Sequence, residues 1–156
     1  MTGSLQAELH QRKAFTSLHQ EAHLNIVRTE AALGDDFEQM LKPYGISGTQ
    51  FNVLRILRGA EPEGLCRNEL RDRLVTRMPD VTRLLDRMED LGLIVRTRDT
   101  SDRRLVSTGI TKQGRRLVDD LDEVVQAEHQ RSLGHLNKKQ LATLIELLTL
   151  VRRTNL

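Results

Sequence analysis

Apolar residues along this chain recur mostly at helical steps. Over residues 15–41, Phe15, Leu18, Ala22, Ile26, Leu33, Phe37, Met40 and Leu41 return every three or four positions. That spacing predicts one long amphipathic helix stopping near Pro43-Tyr44-Gly45. Such a helix is too long to bury its stripe on a small domain, so the stripe is expected to meet other long helices. Ser47-Gly48-Thr49-Gln50 has the order of a capping box, and Phe51, Leu54 and Leu57 follow on one face up to Gly59. Residues 59–64 read as a turn. A short helix is expected over 67–75 with Leu70 and Leu74 inward, then a connection Thr76-Arg77-Met78. A second helix is expected over 79–91, with Pro79 at its first position, where a missing amide hydrogen costs nothing. Its buried stripe is Val81, Leu84, Leu85, Met88 and Leu91, and Gly92 caps its end.

The period then changes. Residues 93–98 and 105–110 are two runs rich in Ile, Val, Leu and Thr, separated by the polar stretch 99–104, which reads as a β-hairpin. Thr111 is placed to cap a helix running to about His129 with Leu117, Leu121, Val124 and Val125 inward. Asn137-Lys138-Lys139-Gln140 is a second capping pattern, flanked by the staple Leu136 and Leu141. The helix after it carries Leu141, Leu144, Ile145, Leu148 and Val151. The predicted fold is therefore mainly α with a small β-hairpin wing: a winged helix-turn-helix plus a dimerisation region of terminal helices. Its expected division is a single chain over 1–156, with the winged region at 46–114 and dimerisation helices at 5–42 and 115–156.

Length and composition fit that outline. The 156 residues suit one domain with an appended assembly element, and 38% hydrophobic with 29% charged residues suits a folded, helix-rich protein. No run approaches the roughly 20 apolar residues that span a bilayer, so no membrane association is expected. Residues 1–10 do not read as a secretory signal. One cysteine, Cys66, permits no internal disulfide, which suggests a cytoplasmic setting.

Charge changes the picture more. Residues 65–116 hold thirteen lysines and arginines, twelve of them arginine, against eight acids, a surplus of five. Since the whole chain carries +2, the remainder carries −3. A basic middle between acidic flanks is the footprint of a segment that meets a polyanion. Aromatic residues number four, Phe15, Phe37, Phe51 and Tyr44, so there is no stacking platform for single strands or RNA loops. Double-stranded DNA is the expected partner.

Two short helices and a hairpin offer two reading elements. The second helix fits the major groove, where each base pair shows a distinct donor and acceptor pattern. Its DNA-facing residues are expected at the N-terminal end: Thr76, Arg77, Asp80, Thr82, Arg83 and Arg87. The arginines can take guanine bidentately, bind phosphate, or simply be solvated. Asp80 can accept from cytosine or orient an arginine. The hairpin tip carries Ser101, Asp102, Arg103 and Arg104. A guanidinium there can enter a narrow minor groove, where the negative potential is strongest. Asp102 can fix an arginine's direction by a charge-assisted hydrogen bond. Arg103 faces phosphate or pairs with a carboxylate such as Asp86.

Thr82-Arg83-Leu84-Leu85-Asp86-Arg87-Met88-Glu89, Gly92-Leu93-Ile94-Val95-Arg96, Asp102-Arg103-Arg104 and Ile110-Thr111-Lys112-Gln113-Gly114 stand together in register. In these motifs the chain resembles the multiple antibiotic resistance regulator (MarR) family, and in weaker form the likeness runs over nearly its whole length. The resemblance implies a homodimer held by the first helix and the last two helices, binding a near-palindromic operator, usually as a repressor. It places Arg104 as the minor-groove arginine and Asp102 as its orienting carboxylate. It also implies release of DNA by a small amphipathic or aromatic effector between the dimer helices and the winged part. His19, His23, Val27 and Arg55 are the lining candidates. The chain departs from the family in having Cys66 where a hydroxyl is common, and in a connection over 76–80 about one residue longer.

Other chemistry is thin. Cys66 beside Arg67 at a helix start can have a lowered thiol pKa, the redox-sensing reading, or be an inert small residue. His19 and His23 stand one turn apart, at metal-ligand spacing, but with no third ligand in view they are also read as lining a dimer crevice. No phosphate loop, nucleophile elbow or paired carboxylate motif occurs. No enzyme, catalytic residue, metal or cofactor is expected. The rival from another class is a winged helix used for protein–protein assembly.

Overall fold

A computed structural model describes residues 5–98 and 106–153. The described residues fall into two compact units that divide after Gly48.

The first unit holds a short helix α1 (Leu5–Glu8) and the long helix α2 (Leu18–Leu41). The long helix starts three residues later than its apolar spacing suggests. Ser17 takes extended backbone and its hydroxyl accepts from the Gln20 N–H at 3.2 Å, so the cap overrides the periodicity carried by Phe15. Its end is as expected: Pro43 lies in a single 3₁₀ turn (Lys42–Tyr44) that closes on Gly45. Of the residues of α2 only Leu41 is buried, while Leu18, Ile26, Val27 and Leu33 are exposed.

The second unit carries most of the core. Helix α3 (Gly48–Arg58) buries Phe51, Val53, Leu54 and Leu57. The chain turns into a two-residue strand β1 (Leu65–Cys66), which the apolar pattern did not announce. Two residues have no visible alternation, and β1 exists only because Leu65 and Cys66 pair with Thr108 and Ser107. Helix α4 (Arg67–Arg73) ends two residues before the predicted 75: Leu74 is extended and buried. The Val75 N–H leaves the helix for Asn52 Oδ1, at 3.0 Å.

Helix α5 (Val81–Asp90) begins after Asp80 and not at Pro79. The Asp80 carboxylate accepts from the Arg83 N–H at 2.9 Å, so Asp80 is the cap and Pro79 precedes it. Val81, Leu84, Leu85 and Met88 are buried, but Leu91, past the helix end, is 48% exposed. There the Gly92 N–H reaches Glu89 O and the Leu93 N–H reaches Met88 O, a paired closure that needs the left-handed backbone of Gly92 (φ 70°).

Strands β2 (Ile94–Arg98) and β3 (Val106–Ile110) pair antiparallel, from Ile94 opposite Ile110 to Arg98 opposite Val106. The sheet order is β1–β3–β2, three strands where the pattern gave two. Helix α6 (Lys112–Leu133) is capped by Thr111, as expected, and runs four residues beyond His129. Its buried face is Gly114, Val118, Leu121 and Val125; Leu117 and Val124, predicted inward, sit half-buried on the flank. The face is set by Gly114, where a side chain would stand 2.1 Å from the Leu93 carbonyl oxygen. Helix α7 (Lys138–Arg153) starts with the predicted reciprocal cap: Asn137 N–H to Gln140 Oε1 at 2.9 Å, Gln140 N–H to Asn137 Oδ1 at 3.0 Å. No residue of α7 is buried. Among the described residues no helix is long and apolar enough to cross a membrane.

Candidate nucleic-acid interface

The strong apolar stripe of α5 faces the core, which leaves its other side free. Thr82, Arg83 and Arg87 are exposed there, and Thr76, Arg77 and Asp80 are exposed on the approach to it. The six candidates expected on the second short helix therefore occupy one stretch: the connection and the first two turns of α5. Asp80 adds an ion pair to its cap, with Oδ2 at 3.5 Å from Arg83 Nε, both side chains being largely exposed. The free N–H groups of a helix start also suit a phosphate.

Ser101, Asp102, Arg103 and Arg104 lie outside the described residues. Asp86, offered as a partner for Arg103, is bonded to Arg96, with Oδ1 at 2.7 Å from Nη1. Arg96 also binds Glu89 on the same helix, Nη2 to Oε2 at 2.5 Å. Those bonds hold the Glu89 carboxyl below the usual carboxylate range and raise the Arg96 guanidinium further.

Two residues of this region escaped the sequence reading as site residues. Arg67, first residue of α4, donates from Nη1 to Thr82 Oγ1 at 3.3 Å and so reaches the outer face of α5. Its only sequence signal was its place beside Cys66. Arg96 belongs to a family-like motif, but no pattern of spacing pairs it with Asp86 and Glu89.

Cys66 is the cap of α4; its N–H donates to Glu69 Oε2 at 2.8 Å, and the Glu69 carboxyl is lowered chiefly by that bond. His19, His23 and Val27 are exposed at one-turn spacing on α2, and Arg55 is exposed on α3, in the second unit. Among the described residues no group of three His, Cys, Asp or Glu side chains could hold a metal ion.

Comparison with known proteins gives consistent results. The MarR family model matches residues 44–105. A MarR transcription factor from Planctomyces limnophilus is 42% identical, with 88% of this chain and 99% of that one covered and a TM-score of 0.68. A mutant MarR from E. coli, complexed with operator DNA, is 27% identical, covering 87% and 99%, with a TM-score of 0.76. CouR from Rhodococcus jostii RHA1, bound to p-coumaroyl-CoA, is 26% identical, covering 88% and 95%, with a TM-score of 0.72.

Proposed function

Because this chain belongs to the MarR family of transcriptional regulators, we propose that it is a homodimeric, sequence-specific repressor that binds a near-palindromic operator in duplex DNA and responds to a small ligand. The observation that carries the reading is α5: a helix buried along Val81, Leu84, Leu85 and Met88, with Thr82, Arg83 and Arg87 exposed beyond a capped start. In the major groove those side chains meet base edges, while Thr76, Arg77 and the helix start meet the backbone. The wing then offers Arg104 to the adjacent minor groove, held by Asp102, with Ser101 and Arg103 toward phosphate.

In this reading residues 46–114 bind DNA, and 5–42 with 115–156 supply the dimer helices, working in the cytoplasm. The effector is a small amphipathic or aromatic molecule, as the p-coumaroyl-CoA complex of CouR suggests by analogy. His19, His23 and Val27 on α2 and Arg55 on α3 are the residues to substitute in testing it.

The test is a shift assay on duplexes flanking the protein's own gene, against mixed-sequence competitor. Wild type is expected to select one fragment, and Arg83→Ala to weaken it by about 1–3 kcal/mol. Equal affinity for selected and mixed duplexes would leave only non-specific binding, and the reading would fail.

A further inference from the structure

Resting on the reading above for the wing's contact with DNA, we propose that Arg96 is a positioning residue that fixes strand β2, and with it the wing, on the recognition helix α5. Asp86 and Glu89 stand three residues apart on α5, so their carboxylates point to the same side. Arg96 is the third residue of β2 and answers both. Its Nη1 meets Asp86 Oδ1 at 2.7 Å; its Nη2 and Nε meet Glu89 Oε2 at 2.5 and 3.0 Å. Its backbone N–H also donates to Glu89 Oε1, at 3.0 Å.

One helical carboxylate thus holds both the main chain and the side chain of one strand residue. Two attachment points fix direction as well as distance, which a single ion pair does not. The planar fork of arginine is needed to reach both acids; a lysine ammonium cannot reproduce it. Arg96 also stands opposite Thr108 on β3, which is 1% exposed, so the anchored residue belongs to the seated part of the sheet. From there the chain runs on through Arg98 into the residues that carry Asp102 and Arg104.

Charge separates this role from a direct one. Two carboxylates against one guanidinium leave the cluster at −1, so Arg96 is not a spare cation for phosphate. Electrostatics alone predicts that deleting the Glu89 charge tightens DNA binding; positioning predicts that it loosens it.

The test compares wild type, Arg96→Gln, Arg96→Lys, Glu89→Gln, Arg104→Ala and the Arg96→Gln/Arg104→Ala double variant on the selected operator. Amide exchange is measured on the free proteins. Each single change at 96 or 89 is expected to weaken binding about tenfold. The salt slope stays within half a unit, whereas a lost phosphate contact lowers it by about one. In the Arg104→Ala background, Arg96→Gln adds less than about twofold, because both act through one contact. The Arg96 amide exchanges faster in Glu89→Gln while α3 amides do not change. Glu89→Gln is the milder variant should Arg96→Gln fold poorly. Operator binding by Glu89→Gln as tight as wild type, or an equal loss in both backgrounds, overturns the proposal. If Arg104→Ala alone binds like wild type, the wing reading fails instead. The anchoring of β2 then stands or falls on whether Arg96 amide protection is lost.

Discussion

Asp102 and Arg104 give opposite expectations according to what the acid does. If the wing is only a charged loop, removing Asp102 deletes a negative charge near a polyanion, and Asp102→Ala binds DNA more tightly. If Asp102 aims a guanidinium into the minor groove, the same change binds less tightly despite the gain in net charge. We expect looser binding. Arg104→Ala is expected to cost about 1–3 kcal/mol and to lower the salt slope by about one unit. Affinities at two salt concentrations, on variants shown to be folded, decide the sign. Tighter binding by Asp102→Ala rejects the orienting role. At this scale the sequence was most readable where a capping residue directly precedes a helical run. Thr111 caps α6 as expected, its hydroxyl 3.0 Å from the Gly114 N–H. It was least readable where one residue could satisfy two rules. Pro79 fits a first helical position, but Asp80 caps better, and the cap decides where α5 starts. Arg58 was not visible at all. Its guanidinium bonds Asp119 at 2.7 Å and Asp122 at 2.8 and 2.9 Å, partners more than sixty positions away.

At the scale of elements, that arginine joins α3 to α6, since Arg58 ends one helix and both acids lie on the other. The Asp122 carboxyl is held below the usual carboxylate range, first by its hydrogen bond from Arg58. A carboxylate with a lower pKa folded than unfolded adds stability above its unfolded value, about 4. That contribution is lost as pH falls through the lower folded value. Arg58→Met is therefore expected to be less stable than wild type at pH 7, and the difference should shrink between about pH 4 and pH 3. Urea midpoints at both pH values measure it. A difference of constant size would assign the loss to packing of the arginine stem and not to the ion pair. Helices with strong periodicity, α3 and α5 among them, were legible to within a residue or two. On α6 Leu121 and Val125 are buried as expected, but Gly114 and Val118 replace Leu117 and Val124 on that face, because Gly114, a residue with no apolar signal, makes the contact with Leu93. Strand β1 was illegible because pairing with β3, and no local pattern, makes it a strand.

For the molecule as a whole, the apolar surface left over argues for a second copy. Helix α7 buries none of its residues, and Leu144, Ile145, Leu147, Leu150 and Val151 are all exposed. Helix α2, in the other unit, leaves Leu18, Ile26, Val27 and Leu33 exposed over its 24 residues. Scattered single apolar residues are ordinary on a surface, but two long helices with open stripes are the pattern expected of a surface that a second copy covers. Obligate dimers commonly bury more than about 2,000 Å² in total, and terminal helices of this length can supply such an area. In the proposed dimer the two recognition helices are expected about 34 Å apart, one turn of duplex, which matches a near-palindromic operator. Sedimentation at micromolar concentration is expected to give a dimer for wild type. Ile145→Asp, at a position 64% exposed in one chain, should shift it toward monomer, because a buried unpaired carboxylate is costly in an interface and harmless on a surface. The monomer should keep a folded winged unit, seen as unchanged amide protection in α3 and β3, yet lose operator affinity far more than non-specific affinity. A variant that stays dimeric takes α7 out of the interface. A wild-type monomer rejects the dimer itself.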